Sequence, residues 1–74
     1  MDAPIFSKIE LTGTLTTRYL RPIILLDDGT DWRAVGLPWS ARRFIGQRIH
    51  AEGIRVGYRS IDVVKLRGMI GNRD

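Results

Sequence analysis

The sequence predicts an all-β fold of five strands with one short helix between the third and fourth. Three observations carry that prediction. A ten-residue alternation of apolar and polar residues lies near the N-terminus, and an Asp-Gly pair separates two strand-like runs further on. A short helical segment then stops at a glycine and leads into a second alternating run.

The first strand is read from Lys8 to Thr17. Ile9, Leu11, Gly13 and Leu15 form one row, and Glu10, Thr12, Thr14 and Thr16 the other. Gly13 falls on the inward row, where glycine marks a bulge or a bend at which another backbone comes close. A small closed barrel needs such a bend in its first strand. Thr17-Arg18-Tyr19-Leu20-Arg21-Pro22 interrupts the alternation, and Pro22 sets the next strand to begin at or after it. Ile23 to Leu26 is apolar on both faces, so it has two covered faces or one reserved for a partner. Asp27-Asp28-Gly29-Thr30 is the hairpin turn, and Asp31 to Leu37 the return strand.

Pro38-Trp39-Ser40 ends that strand. Ser40 is read as the N-cap of the helix, Trp39 and Phe44 have the spacing of a hydrophobic staple, and Gly46 is the stop. Trp39 and Phe44 are expected to close one end of the core. In the fourth strand Ile49, Ala51 and Gly53 point inward, with Arg48, His50 and Glu52 outward. Gly57-Tyr58-Arg59 turns the chain into the last strand, Ser60 to Leu66, where the change of face from Val63 to Val64 signals a bulge or a second covered face. The single domain 1–74 therefore has its core at about residues 8–67 and a frayed, flexible C-terminal tail from Arg67 to Asp74.

Composition narrows the function classes. A 74-residue chain without cysteine has a small core, no disulfide and no thiolate metal site. The N-terminal stretch has no signal-peptide pattern and no run is long enough to span a bilayer, so a soluble cytoplasmic protein without membrane contact is expected. Net charge is +4, and ten of the twelve basic residues are arginine, whose fork pairs with phosphate and stacks on bases. Arginine-rich codon usage and a solvated surface account for the same composition, so a polyanion partner is permitted rather than required.

No cofactor is implied. The lone His50 cannot build a histidine metal cluster and reads as a surface residue. Asp27, Asp28 and Asp31 lack the closing glutamate of a calcium loop, so no metal is expected there. No nucleophile with a base and an orienting acid can be assembled, and the chain is read as a non-enzyme.

Several local patterns resemble the OB-fold barrel. Leu11-Thr12-Gly13-Thr14-Leu15 resembles its first strand, and Leu26-Asp27-Asp28-Gly29 the turn between strands two and three. Gly46-Gln47-Arg48-Ile49-His50-Ala51-Glu52-Gly53 resembles the G-x-x-V-x-V-x-G pattern of its fourth strand, and Ile61-Asp62-Val63 its fifth. The likeness covers residues 8 to 67 and is nearest to the small stand-alone bacterial OB-like domains of unknown function. It implies a five-stranded barrel that binds oligonucleotides or oligosaccharides on strands two and three and the loops after strands one and four.

On that plan the first loop offers Arg18, Tyr19 and Arg21, and the second Arg55, Tyr58 and Arg59. Trp32 and Arg33 lie on opposite faces of the third strand, so only one of them looks outward. Aromatic platforms and a basic groove are the ingredients of weak, non-specific single-stranded nucleic acid binding. The alternative is a protein-interaction or self-assembly module, including a homodimer, built on the doubly apolar Ile23–Leu26 run. A continuous exposed patch of Ile24, Leu26 and Trp32 would favour that alternative.

Overall fold

The computed structural model describes residues 4–69. It is all-β, with strands β1 (Lys8–Arg18), β2 (Arg21–Leu26), β3 (Asp31–Val35), β4 (Arg48–Gly57) and β5 (Ser60–Gly68). One 3₁₀ turn, Trp39–Phe44, separates β3 from β4. The strands form one sheet in the order β1-β2-β3-β5-β4, which closes because β4 pairs back onto β1. Every neighbouring pair is antiparallel except β3 with β5.

Closure turns on β1, which serves two partners in succession. Lys8 to Thr14 pair with β4, and Gly13 to Arg18 with β2. Gly13 lies in the overlap, where a methyl group would strike the Leu25 carbonyl oxygen. The bend thus requires a residue without Cβ. A second such approach occurs at Gly53, whose missing side chain leaves room for the Asp62 carbonyl. There the β4–β5 register slips, with Glu52 opposite Lys65 but Gly53 opposite Val63. The slip leaves Val64 unpaired and exposed, and it explains how Val63 and Leu66 both face inward despite their spacing.

The core is small and aliphatic. Leu15, Ile24, Ile49 and Ile61 are its largest fully buried side chains, joined by Ala34, Ala51 and Val63. The segment before β4 departs from expectation. It is a 3₁₀ turn, Pro38 occupies its N-cap with extended backbone, and no side chain caps it, so Ser40 has no capping role. The seven residues between Pro38 and the left-handed Gly46 suffice for the six-residue tighter helix. Only Ala41 is buried there. Phe44 packs against the core, but Trp39 is 80% exposed beneath the Arg42 guanidinium, so it does not close the end of the core.

At the chain's end, β5 continues through Gly68, so Arg67 belongs to the sheet rather than to a tail; residues 70–74 lie outside the described residues. Among the described residues no helix is long and apolar enough to cross a membrane.

Candidate functional site

Two tight turns with a tyrosine at the head of each build the most elaborate surface feature. The strands extend further than the sequence pattern indicates: Arg18 ends β1 and Arg21 opens β2, paired with each other across a two-residue connection. That connection is Tyr19-Leu20, with both residues at positive φ (53° and 67°). Such a turn matches the twist of a hairpin, but its usual occupants are asparagine and glycine. Each larger residue held there costs on the order of 1–2 kcal/mol. Both side chains nevertheless stand in solvent, 91% and 94% exposed. Strained backbone carrying fully exposed large side chains is an arrangement that packing does not explain.

Pro22 sits inside β2, next to Ile23 where pairing with β3 begins, a position that tolerates a missing donor. The second turn, Tyr58-Arg59, links Gly57 to Ser60 across the end of the β4–β5 hairpin. Arg59 is at positive φ and Tyr58 is exposed. The Arg33 amide donates to the Arg59 carbonyl at 2.7 Å, which fastens this turn beside β3.

The two turns face one cleft of about 500 Å³. Arg18, Tyr19, Arg21, Arg33, Tyr58 and Arg59 line it, with Ile23 and Asp31. Ile23 lies on the outer face of β2 yet is only 8% exposed, so it forms an apolar floor. Asp31 is the one carboxylate in the lining. It pairs with Arg18 and lies 3.8 Å from Arg59 Nη1. Because β2 stands between β1 and β3, the Arg18–Asp31 pair crosses the outer face of β2. Arg21 and Arg33 have no carboxylate within ion-pair distance among the described residues. The lining therefore carries four guanidinium groups against one carboxylate, and Arg59 also lies over the Tyr58 ring at 5.1 Å.

Two residues assigned to this surface from sequence are elsewhere. Trp32 is half-buried and packs on the core, opposite the fully buried Ile24. Arg55 is not in a loop. It lies within β4 on the row of Ile49, Ala51 and Gly53, and only 7% of it is exposed. Its Nε donates to the Gly57 carbonyl at 3.0 Å and its guanidinium lies 5.7 Å from the centre of the Trp32 ring. Arg55 and Trp32 thus plug one end of the sheet together, the cation over the aromatic face.

Ile23 and Asp31 were missed as site residues. Asp31 reads as part of a solvated hairpin tip, and only the topology reveals that it sits across β2 from Arg18. The three residues posed as a possible exposed apolar patch are not one: Ile24 is fully buried, and Leu26 and Trp32 pack on the core.

The hairpin tip has its own partners. Arg48 donates both Nη groups to Asp27, at 2.9 and 2.7 Å, and this fork holds the Asp27 carboxyl below its ordinary value. The Thr30 hydroxyl and amide do the same for Asp28. Compared with known proteins, the chain matches no protein-family model, no curated protein and no solved structure.

Proposed function

We propose that this chain is an OB-fold-like barrel that binds single-stranded nucleic acid in the cleft between its two tyrosine-bearing turns, without catalysing a reaction. The strand order, with β3 parallel to β5 and β4 returned onto β1, supports the barrel reading. In that architecture oligonucleotides lie on strands two and three between the loops after strands one and four.

The observation that carries the proposal is the shared cleft: exposed Tyr19 and Tyr58, with four arginines, over the outer face of β2 and β3. Tyrosine faces stack on bases of any sequence, and guanidinium forks pair with phosphate oxygens. Ile23 offers an apolar floor for the edge of a base or sugar. Titration of a labelled oligonucleotide of about 12 residues tests this, since such sites cover roughly 4–16 nucleotides. The logarithm of the affinity should fall against the logarithm of salt with a slope of about −2 to −3, for three to four phosphates at roughly −0.7 each. No binding at low salt, or a slope near zero, removes the proposal.

Asp31 supplies a second test with a less intuitive sign. It holds Arg18 and approaches Arg59, so it competes with a phosphate for both. Asp31→Asn should therefore tighten oligonucleotide binding, by about fivefold at low salt, the size of one exposed charge interaction at contact distance. Weaker binding in this variant would mean that the carboxylate serves the ligand.

A protein partner is the second reading, and one observation favours it. Leu20 and Trp39, 94% and 80% exposed, border an apolar hollow of about 230 Å³ that includes Leu37, Pro38 and Ala41. Self-association through this hollow would appear as a concentration-dependent dimer in sedimentation.

A further inference from the structure

On the outer face of the β1–β4 seam, away from the cleft, three side chains converge that the nucleic-acid reading does not use. Glu10 pairs across the strands with Glu52, and Thr12 with His50. The ligand atoms of Glu10, His50 and Glu52 all lie within 4.8 Å of one another. His50 is the centre of the group: Nε2 is 3.0 Å from Glu10 Oε1, and Nδ1 is 2.9 Å from Thr12 Oγ1. We propose that Glu10, His50 and Glu52 bind one divalent transition-metal ion, with zinc the best fit. The proposal stands apart from the nucleic-acid reading and needs none of its residues.

Three features argue for an ion there. Two glutamates directly opposite each other on neighbouring strands repel, and such a pair is destabilising unless a cation lies between them. A cationic side chain is within reach, because Lys65 is the β5 partner of Glu52, yet among the described residues Glu52 forms no ion pair. Its half-buried carboxylate is instead left beside Glu10 on the rim of a hollow of about 620 Å³ that extends over β1, β4 and β5. Secondly, His50 is oriented as metal-bound histidines are. In the tautomer that carries its proton on Nδ1 and donates it to Thr12 Oγ1, the Nε2 lone pair points at the Glu10 carboxylate, and a cation reconciles these two acceptors; in the other tautomer Nε2–H donates to Glu10.

Thirdly, the donor set suits the ion. One neutral imidazole and two carboxylates balance a double positive charge, and nitrogen with oxygen donors selects zinc-like ions over magnesium or calcium, which prefer six or more oxygens. Ligands around a tetrahedral zinc at roughly 2.0–2.1 Å stand about 3.3 Å apart. Glu10 Oε1 already lies 3.0 Å from His50 Nε2, and all three ligand atoms fall within 4.8 Å of one another. Such an ion would tie β1 to β4 where the sheet closes, in a small chain that has no disulfide to do so.

The test uses the full, tag-free chain, stripped with chelator and titrated with zinc chloride alone. Calorimetry should give one ion per chain. The melting temperature should rise by about 10 °C or more at zinc a hundredfold above Kd. His50 is the sole imidazole, so its Nε2 resonance in long-range ¹H–¹⁵N spectra should move while Nδ1 stays protonated. Glu52→Gln, which alters a side chain at the rim of the hollow and leaves the fold intact by circular dichroism, should weaken zinc by at least tenfold, as should His50→Gln. Thr12→Val should weaken it by about tenfold through the lost orienting bond. Magnesium should produce no shift. The proposal is overturned if zinc does not bind at up to about 1 mM, a threshold of negligible affinity. Equal zinc binding by Glu52→Gln and the unaltered chain, or an equal response to magnesium, overturns it as well.

Discussion

Replacing Tyr19 and Tyr58 together by alanine is expected to weaken oligonucleotide binding by about a hundredfold or more, with the melting temperature nearly unchanged. Each aromatic platform contributes roughly 1–3 kcal/mol per stacked base, and each 1.4 kcal/mol is tenfold in affinity. Both rings stand in solvent, at 91% and 72% exposure, so their removal takes little from the core. Alanine at position 19 meets the same positive φ that tyrosine does, which keeps the turn's strain comparable in the two proteins. Fluorescence anisotropy gives the affinities and a thermal melt supplies the control. A loss below threefold would mean that the arginines act alone and that the turns are not stacking platforms. Single variants that each lose as much as the pair would show both rings gripping one strand as a unit.

The largest effect on stability is expected at Gly53. A methyl group there would overlap the Asp62 carbonyl oxygen and come within 3.1 Å of the Ile61 side chain. Neither neighbour has freedom to move aside. Asp62 and Ile61 are backbone-paired to β4, and Ile61 is fully buried. Gly53→Ala should cost about 3 kcal/mol, the upper range for overpacking a well-filled site. A domain of this size has only about 4–11 kcal/mol in total at ordinary values per residue. The midpoint temperature should therefore fall by about 12–24 °C, and urea unfolding should show the midpoint shifted at constant slope. A fall of only a few degrees would mean that the register slip between β4 and β5 relaxes to admit the side chain.

Much of the fold was readable because its devices are local. The alternation from Lys8 to Thr17 follows from the period of a strand, and Asp-Gly at 28–29 from the backbone angles of a hairpin. Gly13 and Gly53 were informative because a missing Cβ on an inward row has few other causes. The chain's two tyrosine turns could be brought together only by assuming how the strands close, and the cleft they line depends on that pairing. Arg55 was misplaced although its parity with Ile49, Ala51 and Gly53 put it on the inward row. Its charge argues for the surface, and the Trp32 ring and Gly57 carbonyl that accommodate it inside are set by tertiary structure. Trp39 is the opposite case: a large apolar residue at staple spacing predicts core, but a 3₁₀ turn between Pro38 and Gly46 leaves it outside. The outward row of the fourth strand sets His50 beside Glu52, but the pairing of Asp31 with Arg18 and the approach of Glu10 to His50 and Glu52 could not be seen in one dimension, since those partners lie 13, 40 and 42 positions apart.

The pairing of β3 with β5 has a mechanical consequence. It holds three residue pairs, Arg33 to Val35 against Ser60 to Asp62, whereas β1 meets β4 over seven. The β2–β3 joint also holds three pairs, but a short hairpin turn ties its two strands, so under thermal stress the earliest opening of this protein should unzip along β3 and β5. Arg33 and Arg59 sit on opposite banks of that joint. A ligand lying in the cleft would rest across the place where the molecule is readiest to come apart, and would hold it shut like a clasp.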